Sequence, residues 1–238
     1  MTLSQARVIG AALLVATVAC AGATQTTPTP TPTPIPSAAA PAPRPIATTQ
    51  GASAAVAKAR ADSARYPYTP GDVHFMTGMI GHHAQAIVMS RFAPTHGADP
   101  AVQRLAERII NAQEDEIATM QSWLRDRQQP VPEAKAGPMK MMMDGMEHAM
   151  LMPGMLTDDQ MKQLDQARGT EFDRLYLGYM IQHHRGAVSM VRDLFGTYGA
   201  AQDETTFKFA SDVQVDQSTE IARMEKMLAH LTLGITAP

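Results

Sequence analysis

The sequence has little cysteine, few aromatic residues and no excess of positive charge. Its 238 residues include one cysteine, 5% aromatic and 18% charged residues, with a formal net charge of -3 at pH 7. A single cysteine can form no internal disulfide and cannot build a Cys-rich zinc site. A slightly acidic chain also lacks the basic field that holds nucleic acid, so we expect no nucleic-acid partner.

Methionine and histidine are abundant instead. The chain has 18 methionines and 8 histidines, and 45% of its residues are hydrophobic. The length is sufficient for one substantial core or two small ones. Any metal chemistry in this protein must therefore use imidazole, thioether and carboxylate groups.

Residues 1–23 have the pattern of a signal peptide. Arg7 provides a positive start, residues 8–19 are apolar, and this run is too short to span a membrane. The segment 17–20 resembles a lipobox with Thr17 in place of the usual Leu, which predicts a signal peptide over 1–20 and lipidation of Cys20. The rival Ala-x-Ala site over 21–23 would release a soluble protein. Both patterns predict export to the periplasm or cell envelope, and we favour the lipid anchor.

Residues 21–65 are rich in Pro, Thr and Ala, including the run TPTPTPTPIP at 27–36. Proline fixes φ and removes backbone donors, so this composition predicts an extended, disordered linker of the polyproline-II type. We expect the folded domain to occupy residues 66–238.

This domain contains an internal repeat. Residues 69–91 align with 170–192 at an offset of 101 without a gap, including the segments Met79–His83 and Met180–His184, which both read MI-x-HH. A second pair follows at an offset of 104. Its matched positions are Ala106/Ala210, Gln113/Gln217, Glu116/Glu220, Ile117/Ile221, Met120/Met224 and Leu124/Leu228. The repeat is not exact, because His74 and Met76 correspond to Leu175 and Leu177, so the halves need not bind equally.

The repeated unit is a helix hairpin, and two such hairpins predict an all-α, antiparallel four-helix bundle. We place the helices near 70–92, 100–128, 170–196 and 203–232, with a short helix near 158–168 and no strand. Thr69-x-x-Asp72 and Thr170-x-x-Asp173 have capping-box form, so both aspartates are interpreted as caps.

Helical geometry directs the polar members of the repeat toward the bundle interior. In each first helix the MI-x-HH residues share a face, and in each second helix the Gln, Glu and Met residues do so. The predicted metal site comprises Met79, His82, His83, Glu116, Met120, Met180, His183, His184, Glu220 and Met224. Imidazole and thioether suit copper, and thioether favours Cu(I), whereas the glutamates could hold a harder ion or orient the imidazoles. The alternative is a metal-free His-Glu and His-Gln hydrogen-bond network.

Residues 138–155 form a methionine-rich loop without a helical stripe. It offers Met139, Met141, Met142, Met143, Met146, His148, Met150, Met152 and Met155 as capture ligands. Clustered thioethers with a nearby imidazole predict a soft-metal capture site. The alternative is an adaptable surface that packs on the bundle or binds a protein partner.

The repeated MI-x-HH core, with its following Q-x-x-E-I-x-x-M helix, resembles the bacterial domain of unknown function 305 family over residues 66–232. The resemblance implies a ferritin-like four-helix fold. It further implies copper-binding roles for Met79, His82, His83, Met180, His183 and His184, since some exported members bind copper through Met and His. The methionine-rich loop resembles copper-resistance proteins more loosely.

The sequence therefore predicts a non-catalytic envelope protein that sequesters copper, as Cu(I), or passes it to a transfer protein, so contributing to metal tolerance. One alternative is a ferritin-like di-metal oxidase, although neither His helix has the Glu-x-x-His motif of that class. The other is a helical adaptor that binds a protein through the methionine-rich loop. No nucleophile-base set, phosphate loop or dinucleotide fingerprint is present.

Overall fold

Helices dominate the part of the chain that the structure, a computed structural model, describes: residues 54, 56–58, 61, 68–143 and 145–233, with the backbone alone for 141–143. The elements of residues 68–233 are α1 (Pro70–Arg91), α2 (Pro100–Asp126), β1 (Met139–Met143), β2 (Met146–Met150), α3 (Asp158–Gln166), α4 (Gly169–Gly196) and α5 (Glu204–Leu233). Each helix bound lies within two residues of its predicted place. The prediction of an all-α fold is confirmed.

The predicted signal peptide, Cys20 and most of the predicted linker lie outside the described residues. Within the linker, residues 54, 56–58 and 61 are described and are helical, not extended as predicted. This part of the linker has no proline and is rich in alanine, which has the highest helix propensity. No helix among the described residues has the length and apolarity needed to cross a membrane.

The two predicted helix caps have different outcomes. Asp72 completes a capping box with Thr69 at the start of α1 and also accepts a hydrogen bond from Ala201 N at 2.7 Å. The corresponding prediction for Asp173 is wrong, because α4 begins at Gly169 without a side-chain cap. The Asp173 carboxylate instead accepts from Asp99 N, the N-cap of α2, at 3.1 and 3.2 Å.

Each helix hairpin packs internally, α1 on α2 and α4 on α5, and the two hairpins contact each other through α1 and α4. One apolar cluster joins Phe75–Ile80 of α1 to Met190–Leu194 of α4. A second cluster joins Ala86 and Met89 of α1 to Phe172–Ile181 of α4. The two His-His pairs lie between these clusters on both helices, so the core is interrupted by a polar layer at mid-height.

A β-hairpin lies in the segment predicted to contain no strand. β1 and β2 pair antiparallel with Met143 opposite Met146, so the connection between the strands is two residues long. Gly145 has φ +77°, a conformation that such a turn requires and that glycine adopts without steric cost. The Asp-Gly pair at this turn is the sequence signal that outweighs the absence of a clear strand pattern.

Candidate metal centre

Four histidines form the polar layer between the two core clusters. His82, His83, His183 and His184 each have no exposed surface. The rings of His82 and His183 lie against each other with centroids 3.8 Å apart, whereas the rings within each His-His pair are 6.2 Å apart. The offset of 101 between the repeats therefore corresponds to a direct contact between equivalent histidines.

The outer histidine of each pair faces a glutamate of the neighbouring helix. His184 Nε2 donates a hydrogen bond to Glu220 Oε2 at 2.7 Å. His83 Nε2 lies 2.7 Å from Glu116 Oε2 but outside hydrogen-bonding geometry. Both glutamates are mostly buried, with side chains 19–20% exposed. Each repeat therefore places one of its predicted histidines beside one of its predicted glutamates.

The inner histidines face backbone carbonyls instead. His82 Nε2 lies 3.0 Å from Pro153 O, and His183 Nε2 lies 3.0 Å from His82 O. A carbonyl oxygen only accepts, so Nε2 carries the proton in both rings and the neutral ring keeps its lone pair on Nδ1.

The Nδ1 atoms of all four histidines are buried and have no hydrogen-bond partner within the described chain. A buried polar atom without a partner costs about 1–3 kcal/mol, so four of them in one layer call for an explanation. Metal-binding histidines typically donate one ring N–H to a carboxylate or carbonyl and bind the metal through the other nitrogen. The layer provides this arrangement for its two inner rings and for His184.

Burial keeps the inner imidazoles neutral. Desolvation, followed by repulsion from His83, lowers the pKa of His82 to about 3. Desolvation and repulsion from the neighbouring His82 lower the pKa of His183 well below 6.5. Neutral imidazole is the form that binds metals, so these two rings can act as ligands without first losing a proton.

The predicted thioethers are buried around this layer. Met79, Met120, Met180 and Met224 have no exposed surface, with the first two in one core cluster and the last two in the other. The residues do not form one ten-ligand site. Among the described residues, no three His, Cys, Asp or Glu side chains converge as a metal-ligand group. A site in this conformation would have to combine imidazole with thioether, as copper allows.

The carbonyl that faces His82 belongs to a tight contact that the sequence analysis missed. Gly154 has φ +78°, and a Cβ there would lie 2.7 Å from Gly186 Cα in α4. A Cβ at Gly186 would lie only 1.9 Å from Pro153 O. Two facing glycines thus let the 153–154 turn approach α4 closely enough to present Pro153 O to the layer. The sequence signal was Pro153-Gly154 together with Gly186, a glycine in the middle of an apolar helix.

The predicted capture loop divides into an exposed and a buried part. Met152 and Met155 are 5–6% exposed and belong to the core, whereas all of β2 is exposed. The strand register pairs Met139 with Met150, Met141 with His148 and Met143 with Met146. Because cross-strand partners share a face, these six residues lie on one face of the hairpin. The opposite face includes Lys140 and Glu147, which form an ion pair at 2.8 Å.

The chain has relatives among known proteins. Residues 72–228 match the family described as domain of unknown function DUF305. The chain belongs to the DUF305 family. A 56-residue segment, 24% of the chain, is also 41% identical to the uncharacterized protein L153 of Acanthamoeba polyphaga mimivirus, and it spans 37% of that relative.

Solved structures of DUF305 proteins share the fold. A DUF305 protein of Streptomyces coelicolor, predicted to be secreted, is 31% identical with a TM-score of 0.58, covering 68% of this chain and 94% of its own. A DUF305 fragment from Deinococcus radiodurans is 26% identical with a TM-score of 0.57, covering 68% and 98%. CopM in its Cu(I)-bound and Cu(II)-bound forms is 28% identical, with TM-scores of 0.51 and 0.52, covering 67% and 96%.

Proposed function

We propose that this protein is an exported, non-catalytic copper binder that sequesters Cu(I) or passes it on in the cell envelope, and so contributes to metal tolerance. The observation that carries the proposal is the buried layer of four histidines whose Nδ1 atoms have no partner within the described part of the chain. Buried thioethers belong to both core clusters that flank the layer, and a soft monovalent copper ion is the metal that suits imidazole and thioether together. The similarity to CopM, which has been solved with bound copper, supports the same metal.

Export, with a lipid anchor at Cys20, is part of the proposal. It rests on the signal-peptide pattern and on the similarity to the Streptomyces coelicolor protein. Lipidation would use the only cysteine, which leaves the folded domain without a thiol. A thiol-free protein that binds a soft metal has to use methionine and histidine, and these are the residues that the layer and the hairpin concentrate.

The geometry favours storage or transfer over a di-metal oxidase. Oxidases of the ferritin-like class use carboxylates that bridge two metals, held with Glu-x-x-His motifs. Here Glu116 and Glu220 each contact a different histidine, and no group of three such ligands occurs among the described residues. The glutamates instead lie where they can orient the imidazoles by contact with Nε2, without binding the metal themselves.

A Cu(I) titration against a chromophoric chelator tests the function. The full chain should carry Cys20→Ser, so that no thiol competes. We expect binding with a Kd of about 1 μM or tighter. Replacing His82, His83, His183 and His184 by Gln should lower the stoichiometry, whereas His230→Gln, outside the layer, should not. No competition with the chelator would overturn the proposal, and iron uptake with oxygen consumption would favour the oxidase.

A further inference from the structure

A cleft beside the β-hairpin is lined by possible metal ligands that are not part of the His layer. It has a volume of about 340 Å³, and its wall includes His74 of α1, Met150 and Met152 of the hairpin segment, and Met190 of α4. His74 is half-buried and has no hydrogen-bond or ion-pair partner among the described residues. One imidazole and three thioethers therefore border a single space that solvent can reach.

The neighbouring residues hold the methionine segment against this face of α1. His74, Gly78 and His82 are four residues apart, so they follow one another along one face of the helix. A Cβ at Gly78 would lie 3.3 Å from Met152 Sδ and 3.4 Å from Met139 Sδ. The absence of a side chain at Gly78 thus lets two thioethers rest on the helix between the two histidines.

The donor groups of this cleft are one imidazole and three thioethers, with a single carboxylate beside them. Among the described residues of its wall, Asp193 is the one carboxylate, and apart from His74 the others are apolar or small. Thioether and neutral imidazole select Cu(I)-like monovalent cations over Mg²⁺, Ca²⁺ or Mn²⁺, which prefer oxygen ligands. Met152 is buried and Met150 is half-exposed, so the cleft reaches from the core to the surface of the hairpin.

We propose that His74, Met150 and Met152 form a second soft-cation site, on the solvent side of the His layer. This inference rests on the proposed function and adds an outer position to it. The site is specific to the first repeat, since Leu175 stands where His74 would recur. Met152 precedes Pro153, whose carbonyl faces His82, so the outer site adjoins the segment that contacts the layer.

Silver(I) is a suitable probe because it is soft, monovalent and does not change oxidation state. The full chain with Cys20→Ser would be labelled with ¹³C-methyl methionine, and the Met150 and Met152 signals assigned through Met150→Leu and Met152→Leu. Leu replaces Met with little change in volume, and Met150 is exposed enough that its variant should fold. Both methyl signals should shift on addition of Ag(I).

The variant His74→Gln should weaken the binding reported by those two signals at least tenfold. His230→Gln is the matched control, because His230 lies in the last turn of α5 and does not line the cleft, and its replacement should leave them unchanged. Unmoved Met150 and Met152 signals, while methionines of the layer shift, would overturn the outer site and leave the proposed function standing. No shift of any methionine would count against both.

Discussion

The imidazole ring of His82 lies against that of His183, with centroids 3.8 Å apart and planes inclined by 38°. Each ring comes from the same position of a different repeat, and both are fully buried. Two imidazolium charges at this distance, away from water, would repel strongly. Burial and this repulsion together lower the pKa of both rings, so both are neutral in the folded protein and folding is sensitive to pH.

The first prediction concerns acid stability of the metal-free protein. Above pH 6.5 the inner histidines are neutral in both states and contribute no pH dependence. Below it, the unfolded chain takes up protons that the folded chain, with the pKa of His82 at about 3, does not. The free energy of unfolding should fall from pH 6.5 toward pH 3, by about 1.4 kcal/mol per pH unit for each such histidine.

Urea unfolding at several pH values measures this slope. His82→Gln keeps a donor for Pro153 O but does not titrate, so its stability should depend less steeply on pH. His148→Gln, on the exposed hairpin, should behave as the unsubstituted protein. Equal slopes for His82→Gln and the parent would show that His82 is not held neutral by the fold.

The second prediction uses two glycines of the same helix. Gly186→Ala would place a Cβ 1.9 Å from Pro153 O, so the turn or α4 must move. A Cβ at Gly178 would meet no described residue within 4 Å. Gly186→Ala should destabilise the protein by about 1–3 kcal/mol or more. Gly178→Ala should stabilise it by about 0.5–1 kcal/mol through helix propensity. Urea unfolding compares them, and similar effects of both changes would contradict the proposed close approach.

Displacement of the 153–154 turn should also lower the Cu(I) affinity of the His layer. Pro153 O faces His82 Nε2, so Gly186→Ala should weaken Cu(I) binding even where the helices still form. Gly178→Ala leaves that turn in place and should retain parent affinity. Competition with a Cu(I) chelator, with helix content followed by circular dichroism, separates this effect from unfolding.

The third prediction concerns two carboxylates that tie the repeats together. Asp72 accepts from Ala201 N before α5, and Asp173 accepts from Asp99 N before α2, so each repeat fixes the other's second helix. Asp173→Ala should cost about 1–3 kcal/mol because it leaves a backbone donor without its partner. Asp72→Ala should cost more, since it also removes the capping box.

Asp159→Ala is the control for this pair, because Asp159 is 95% exposed and should change stability by no more than about 0.5 kcal/mol. Chemical denaturation gives the comparison. A cost for Asp173→Ala no larger than that of the control would show that the tie to Asp99 does not stabilise the fold.

The repeat made much of this arrangement predictable. Matching MI-x-HH and Q-x-x-E segments predicted the helix bounds and the inward direction of four histidines and two glutamates. They did not predict that His83 would face Glu116 and His184 would face Glu220. The prediction of Asp173 as a cap failed because a capping-box sequence also fits a carboxylate that reaches another helix. Local sequence does not determine which backbone N–H lies nearest to the Asp173 carboxylate, because that depends on how the two helix hairpins pack together.

The structure of the methionine-rich segment could be predicted only in part, for a different reason. Composition identified its donors, but period counting missed the hairpin, because β2 is exposed throughout and needs no apolar alternation to define a core face. Nor could composition separate Met152 and Met155, which are buried, from Met146 and Met150, which are exposed. That division depends on the 153–154 turn, which is fixed by a glycine contact distant in sequence.

The last prediction separates the exposed hairpin from the buried methionines. Replacing residues 140–149 by Asn-Gly keeps Met139 and Met150 as neighbours across a two-residue turn and removes the exposed part of the hairpin. Stability should change little, because β2 is exposed throughout. Met152→Ala, by contrast, removes a core side chain and should cost about 2–5 kcal/mol.

The shortened protein also tests the capture role of the hairpin. We expect its Cu(I) stoichiometry to fall, because the deletion removes His148 and most thioethers of the hairpin face, while the His layer and the Met150–Met152 cleft remain. Chelator competition measures the number of ions lost. If the stoichiometry is unchanged, the exposed methionines are not capture ligands. Binding of a protein partner then explains that face better, because exposed methionine also adapts well to apolar partner surfaces.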